Sequence, residues 1–417
     1  MATRSTPPAA AGAPNYVGPF MTVAFLFGIF GFLTSLNSTL VAKLEEIFRL
    51  THGPAMLATA AWFFAYLVFS VPSAKLIEMV GYKRSMVIAL FIMTGGALLF
   101  IPAANMVSFP MTLLAIFVLA AGVCALQTSA NPYVSILGPE HSAPARLTLA
   151  QAFNSAGSAA APWVAAHFIL AGAGKSASQA SEAHMLQGPY MAIAGTLLLL
   201  GFAVMFMHLP AITSTRDFRP TAEGGSVLSR SIWTYPHTVL GMVGLFFYVG
   251  VEISLAAITI QYCQAQGMSN VKTAGLMLVL YNIFMMLGRF LGSFVMKWVK
   301  AEKLLVVLGF LGVALLLVSM ATSGTVAIAA LALCGVANSV MYPNIFALGI
   351  AELGPMTSKG SGVLNLGNVG GAIIPPLFGL MADKFGIQAA FVLPIICYLY
   401  VAYYGLSGYK PTRPAMP

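Results

Sequence analysis

Residues 126–158 read LQTSANPYVSILGPEHSAPARLTLAQAFNSAGS and join two apolar segments through a short polar hinge. Amide side chains stand inside both apolar segments, at Gln127, Asn131, Gln151 and Asn154. A polar side chain at membrane depth is costly, so it usually faces the interior of a helix bundle or the path of a solute. Uncharged amides both donate and accept hydrogen bonds, which favours a neutral, hydroxyl-rich solute over an ion or a lipid.

The composition of the whole chain indicates that these segments span a membrane. Of the 417 residues, 59% are hydrophobic and 7% are charged, and the mean hydropathy is +0.88. A soluble domain carries about 25% charged residues, whereas a membrane-spanning helix needs about 20 apolar residues. We therefore predict an all-α membrane protein with twelve transmembrane helices. The predicted spans lie near 17–44, 54–77, 85–103, 108–138, 147–171, 189–209, 236–263, 271–297, 304–320, 324–350, 358–381 and 387–407.

The net charge of +9 follows from topology and predicts no nucleic-acid partner. With the N-terminus placed inside, fifteen of the 20 lysines and arginines fall on the inner side. This positive-inside bias predicts a multi-pass inner-membrane protein with both termini in the cytoplasm. Anionic lipid headgroups are the expected neighbours of these residues. The five basic residues on the outer side are Lys43, Arg49, Lys175, Lys272 and Lys384.

The longest polar stretch inside the chain divides the predicted spans six and six. It covers residues 210–235, PAITSTRDFRPTAEGGSVLSRSIWTY. We expect a monomer built from two such groups of six helices. The predicted boundaries are 1–16 for a disordered N-terminal tail, 17–209 for the N-terminal bundle, 210–235 for a cytoplasmic linker, 236–407 for the C-terminal bundle and 408–417 for the C-terminal tail.

The two groups of spans share a sequence pattern at a constant offset of 211 residues. Each has a helix with a proline near its inner end, a short loop, and a glycine-rich helix that contains an asparagine. Repeated halves with a solute site between them near the membrane midplane are typical of secondary transporters. The matched pairs are Asn131-Pro132 with Tyr342-Pro343, Gly138 with Gly349, and Asn154 with Asn365.

The chain resembles the fucose/glucose/galactose permease family of the major facilitator superfamily. The resemblance runs through most of the chain, and LQTSANPY at 126–133 is closest to the glucose/galactose branch. It implies an inner-membrane sugar/cation symporter made of two pseudo-symmetric six-helix halves that works by alternating access. The segments that carry it are GFLTSLNSTLVAKLEEIFRLTHGPAML (31–57), residues 126–158, FYVGVEISLA (247–256), NSVMYPNIFALGI (338–350) and GNVGGAIIPPLFG (367–379).

Two positions depart from the proton-coupled members of that family. The fucose permeases place an acid after the asparagine of the first span, where this chain has Asn37-Ser38. They place a second acid where this chain has Gln127, and the glucose/galactose branch often has glutamine there too. The coupling ion, H⁺ or Na⁺ or none, is therefore left open by the resemblance.

Glu252 is the strongest candidate for a coupling residue. Of eleven acids, it alone lies deep in a predicted span. A carboxyl group removed from water binds a proton more readily than one in water, which is the property that a proton carrier needs. The alternative is a structural glutamate that ties its helix to a neighbour by hydrogen bonds.

Amides spaced along one helix face are candidates for sugar contacts. Gln127 and Asn131 are four residues apart, and Gln151 and Asn154 are three apart, so each pair shares a face. The alternative is hydrogen bonding between helices, worth only about 0.6–2 kcal/mol per contact. The predicted substrate-binding set is Asn37, Ser38, Gln127, Asn131, Gln151, Asn154, Gln261, Asn282 and Asn365, with Glu252 and Ser38 as candidates for ion coupling.

Charged residues in the inner loops are candidates for gates. Residues 73–85, SAKLIEMVGYKRS, resemble a degraded form of the superfamily signature between the second and third helices. We predict that Glu78 pairs with Arg84, or across the halves with Arg146, and that Arg289 has the related place in the second half. The alternative is an ordinary solvated loop, in which each pair is worth less than about 1 kcal/mol.

The sequence predicts neither an enzyme nor a cofactor. It has no metal-ligand spacing and no phosphate-binding loop motif, and its four cysteines fall in apolar segments as expected for free thiols. Three alternatives to a proton-coupled hexose symporter stay open: a passive sugar facilitator, a sodium symporter for a sugar such as an N-acetylhexosamine, and a transporter-like nutrient receptor.

Overall fold

The structure is a computed structural model that describes residues 17–47, 52–164, 187–207, 209, 231–268 and 270–411, without the side chains of 37–47, 52–56 and 271–272. Throughout these residues the regular elements are helical. The principal helices are α1 (Val17–Ile47), α2 (His52–Asn105), α3 (Phe109–Ile136), α4 (Ala143–Val164), α5 (Gln187–Phe206), α6 (Pro236–Ala265), α7 (Val271–Val295), α8 (Ala301–Ala321), α9 (Gly324–Asn338), α10 (Met341–Gly349), α11 (Thr357–Leu366), α12 (Gly370–Phe385) and α13 (Val392–Tyr403). Shorter helical pieces are Glu140–Ser142, Ile232–Thr234, Gly354–Met356, Gly367–Val369, Ile387–Ala390 and Tyr404–Gly408.

Ten stretches within the described residues are long and apolar enough to cross a membrane. One of them, Leu57–Asn105, has 49 residues and would be far longer than the roughly 30 Å hydrocarbon core as one helix. Gly81 (φ 83°, ψ 167°) breaks α2 into two crossings, and only glycine adopts this conformation readily. With α4 added, whose predicted span 147–171 continues beyond the described residues, twelve crossings result. The prediction of an all-α, twelve-span membrane protein is confirmed.

Local sequence sets the ends of α3 and so the position of the hinge that follows it. Ser108 caps the start of the helix by accepting a hydrogen bond from the Met111 amide, and a proline follows in the first turn. At the other end, Gly138 has φ 123°, which stops the helix before the turn Glu140–Ser142 and α4. The amides predicted in 126–158 therefore lie on two antiparallel helices joined by this turn.

Glycines bring the helix backbones into direct contact in both halves of the molecule. A Cβ at Gly157 of α4 would lie 1.9 Å from the Gly28 carbonyl oxygen of α1. In the second half, a Cβ at Gly370 of α12 would lie 1.8 Å from the Phe246 carbonyl oxygen of α6. The first and fifth spans thus pack as the seventh and eleventh do, which is the internal repeat in three dimensions. Small residues permit this approach in membranes, where van der Waals packing holds helices together.

The N-terminal half (helices α1–α5) and the C-terminal half (α6–α13) meet at one end of the bundle. We call it the basic end, because its loops 75–85, 137–143, 296–301 and 350–357 lie beside Lys75, Lys83, Arg84, Arg146, Lys297, Lys300, Lys303 and Lys359. There α11 packs on α2 and α3, and α4 packs on α7. A Cβ at Gly362 of α11 would lie 2.8 Å from the Ser70 carbonyl oxygen of α2, so the halves touch at backbone distance.

The predicted linker 210–235 falls mostly on residues 210–230, which lie outside the described part of the chain. The tail predicted at 1–16 and residues 412–417 of the tail predicted at 408–417 also lie outside it, whereas residues 408–411 are described. The domain boundaries therefore stay predictions, although α5 ends at Phe206 and α6 begins at Pro236, on either side of the predicted linker.

Candidate functional site

Four buried side chains form a hydrogen-bond network between the halves, which we call the axis network: Thr128, Asn131, Tyr342 and Asn365. The Asn131 amide donates to the Tyr342 hydroxyl at 3.4 Å. That hydroxyl donates to Asn365 Oδ1 at 3.2 Å, and the Asn365 amide donates to Thr128 Oγ1 at 2.7 Å. Three of the four are 0% exposed and Tyr342 is 8% exposed, so the network is shielded from solvent.

Asn131 and Tyr342 are the two positions that the sequence repeat matches at an offset of 211. Residues related by a pseudo-two-fold axis contact each other only when both lie close to that axis. The network therefore marks the centre of the interface between the halves. Of the predicted substrate residues, Asn131 and Asn365 are brought together here through the Tyr342 hydroxyl.

Arg289 of α7 reaches across the interface to α4. Its Nη1 donates to the Gln151 carbonyl oxygen at 3.3 Å and to the Ser155 hydroxyl. Its Nε donates to the Ser339 carbonyl oxygen of its own half at 3.1 Å. The side chain is 7% exposed, so these contacts replace water around a full charge. The residue predicted as a gate thus joins the two halves directly.

Glu252 of α6 is the acidic partner of Arg289. Its Oε1 lies 3.9 Å from Arg289 Nη2, and its side chain is 24% exposed against 7% for the arginine. Tyr248 and Tyr281 lie close enough to interact with the carboxylate. The one membrane carboxylate singled out in the sequence is therefore tied to the one arginine that bridges the halves within the described residues.

Gln127 lies one helical turn before Asn131 on α3, on the side of the axis network away from the basic end. Its Oε1 accepts a hydrogen bond from the Tyr66 hydroxyl at 3.1 Å. It is half-buried and lines a small cavity of about 20 Å³ with Phe27, Phe30 and other apolar side chains. An amide in this position can exchange one hydroxyl partner for another, which suits a sugar contact.

The other predicted amides have separate surroundings. The Asn154 amide donates to the Phe27 carbonyl oxygen at 3.1 Å and so ties α4 to α1. Gln151 is 7% exposed. Asn282 is exposed and donates to Leu278 in its own helix, and Gln261 is exposed near the end of α6. The side chains of Asn37 and Ser38 lie outside the described residues.

The loop residues make different contacts from those predicted. Glu78 Oε1 accepts a hydrogen bond from the Ser358 hydroxyl at 3.2 Å, across the halves. Arg146 instead donates to carbonyl oxygens of its own half, those of Val134 at 3.2 Å and Pro139 at 2.8 Å. Within the described residues, Glu78 therefore contacts the opposite half through the Ser358 hydroxyl. The predicted partners are placed differently, since Arg84 is exposed and Arg146 bonds to carbonyl oxygens of the same half as Glu78.

Sequence reasoning missed several residues of this interface. Tyr342 carried a signal, because it is the repeat partner of Asn131. Thr128 and Ser155 carried none, since hydroxyls in apolar helices usually bond to their own backbone, as Thr128 Oγ1 also does to the Cys124 carbonyl oxygen at 2.7 Å. No group of three metal-ligating side chains occurs among the described residues, and the four cysteines are free and buried.

Comparisons with known proteins identify the fold and its family. The profile of the Major Facilitator Superfamily matches residues 21–374, and the chain belongs to this superfamily of membrane transporters. It is 38% identical over 399 residues to the glucose/galactose transporter of Brucella abortus, covering 95% of each chain. It is 32% identical over 404 residues to the L-fucose-proton symporter of Escherichia coli, covering 92% of this chain and 91% of that one. A crystal structure of the Escherichia coli fucose:proton symporter matches with a TM-score of 0.86 and 29% identity, over 95% of this chain and 99% of that one.

Proposed function

We propose that this chain carries a monosaccharide, with glucose or galactose as the first candidate, across the inner membrane by alternating access. The observation that carries the proposal is the full-length match to relatives whose names specify glucose, galactose and fucose. The neutral amides of α3 and α4 support a hydroxyl-bearing solute, because an amide can donate to one sugar oxygen and accept from another hydroxyl.

The proposal assigns the closed basic end to the cytoplasmic face. The positive-inside bias supports this orientation, with both termini in the cytoplasm. The axis network and Arg289 then close the cytoplasmic side, so sugar enters from the opposite side and stops at Gln127, one turn before the network. Opening toward the cytoplasm requires the contacts of Asn131, Tyr342, Asn365 and Arg289 across the interface to break.

Counterflow with a panel of labelled hexoses tests the substrate class. Proteoliposomes preloaded with unlabelled glucose should accumulate labelled glucose or galactose transiently, and mannitol preloading is the control. N-acetylhexosamines and fucose belong in the panel, because one hydroxyl or acetamide decides the fit. Absence of counterflow for every sugar in the panel would overturn the proposal and leave a receptor without flux.

We further propose that coupling, where it occurs, runs through Glu252. No described acid other than Glu252 lies deep in a span, and the acids of the fucose permeases are replaced here by Ser38 and Gln127. Binding of a proton to Glu252 removes its attraction for Arg289, which frees the arginine that bridges the halves. Because those acids are missing, a passive facilitator and a sodium symporter remain the alternatives to a proton symporter.

Glu252→Gln should abolish concentrative uptake while preserving counterflow within about twofold. Glutamine keeps the shape of the side chain and removes its titratable proton. Uptake into proteoliposomes is measured with an inward proton gradient, with and without a proton ionophore, and with choline in place of sodium.

Ionophore-insensitive uptake by the unmodified protein would point to a facilitator, and loss of uptake in choline would point to sodium. Concentrative uptake by Glu252→Gln equal to that of the unmodified protein would exclude the coupling role.

A further inference from the structure

An open groove of about 380 Å³ lies on the outer surface of the N-terminal half, outside the candidate site. It runs between the two crossings of α2 and the adjoining face of α3. Its volume is in the range of ligand pockets, about 300–1,000 Å³. Its lining is almost wholly apolar and consists of Phe69, Pro72, Ser73, Leu76, Ile88, Ile92, Phe117, Val118, Ala121 and Ala125.

Local sequence accounts for the groove. Pro72 interrupts the hydrogen bonding of α2, and the small side chains of Ser73, Ala121 and Ala125 leave its floor unfilled. Pro72 and Ile92 at its rim are exposed, so it opens to the outer face of the bundle. In a membrane that face meets hydrocarbon, and an unfilled apolar space there loses dispersion contacts that a chain of methylenes restores.

Two exposed cations adjoin the lining residues of the groove along the two crossings of α2. On the second crossing of α2, Ile92, Ile88 and Arg84 follow one another at intervals of four residues and therefore share one face. On the first crossing, Lys75 lies three residues after Pro72, beside Leu76. Lys75 and Arg84 are both exposed at the basic end. The carboxylate of the same loop, Glu78, is engaged by Ser358 of the other half.

We propose that this groove binds an acidic phospholipid, with one acyl chain along the apolar wall and the phosphate between Lys75 and Arg84. A free phosphate ion would leave the apolar wall empty, and an uncharged lipid would make no use of the two cations. The cations alone favour an anionic headgroup by about 1 kcal/mol each at the membrane surface, or about 30-fold together. The site is independent of the sugar path and of its substrate.

The test measures lipid retained by the purified full-length protein. Native mass spectrometry after exchange into mixed phosphatidylglycerol and phosphatidylcholine should show about 30-fold preference for phosphatidylglycerol in one retained lipid. Lys75→Gln with Arg84→Gln should remove this preference, and Ala121→Phe should remove the lipid itself by filling the groove. The matched control is Lys297→Gln with Lys300→Gln, which removes two exposed cations of the same end away from the groove.

Equal retention of both lipids by the unmodified protein, or equal loss in the control pair, would overturn the proposal in favour of a diffuse basic surface. If Ala121→Phe does not fold, Ile92→Trp reports on the same wall. Brominated phosphatidylglycerol should then quench the fluorescence added by this tryptophan more strongly than brominated phosphatidylcholine does. Equal quenching by the two lipids would also overturn the proposal.

Discussion

Arg289→Ala should lower concentrative sugar uptake at least about tenfold and destabilise the folded protein by about 3–5 kcal/mol. The substitution leaves the carboxylate of Glu252 without its partner, and an unpaired charge in a low-dielectric interior costs about that much. It also removes the donors to the Gln151 carbonyl and the Ser155 hydroxyl, which join α7 to α4. Uptake in proteoliposomes and the melting temperature in detergent measure the two effects.

A double-mutant cycle separates the ion pair from the bridge between the halves. Adding Glu252→Gln to Arg289→Ala should restore much of the lost stability, because no orphan carboxylate remains. Counterflow, which Glu252→Gln alone preserves, should stay low in the double variant, since the bridge to α4 is still missing. Lys303→Ala, which removes an exposed cation of the same end, is the control and should change neither quantity. Unaltered uptake by Arg289→Ala would contradict the role assigned to this arginine.

Gly370→Val should strongly reduce the yield of folded protein, at a cost of about 3 kcal/mol or more. The added Cβ would lie 1.8 Å from the Phe246 carbonyl oxygen, so α12 must move away from α6 along their whole contact. Fluorescence-detected size-exclusion chromatography of the tagged full-length protein measures the yield of monodisperse material.

The same helix supplies the control for this substitution. Gly379 also lies in α12, and a Cβ there would meet nothing within 4 Å. Gly379→Val should therefore elute as the unmodified protein does, although it places the same β-branched side chain in the same helix. A normal elution profile for Gly370→Val would mean that the backbone contact is not needed to hold the C-terminal half together.

The membrane fold could be predicted from the sequence because the hydrocarbon of a bilayer permits few backbone structures. Backbone groups in hydrocarbon must be bonded within their own segment, so a run of apolar residues such as 236–263 becomes a helix whatever its neighbours are. The division into two similar halves was predictable from the repeat at an offset of 211 residues. Gly81, which divides α2, was recognisable as part of the loop between the second and third spans.

The site could be predicted only in part, because helix rotation and depth decide which polar side chains meet. Asn154 carries the same amide group as Gln127 and also lies in an apolar helix, yet it bonds to the backbone of α1 while Gln127 bonds to a tyrosine. Arg146 was predicted to reach Glu78 and instead donates to carbonyl oxygens of α3 and of the turn that follows it. These outcomes depend on separations of a few ångströms between helices, which no local pattern encodes.

The meeting of Asn131 with Tyr342 bears on how the two halves can change over time. In a chain made of two identical copies, a position near the axis would face its own duplicate, and any substitution would alter both sides of the contact at once. Here the two sides differ, with an amide as donor and a phenol as acceptor. Neither half can therefore take the place of the other at this contact. A substitution at Asn131 must be matched by a different substitution at Tyr342, and the reverse.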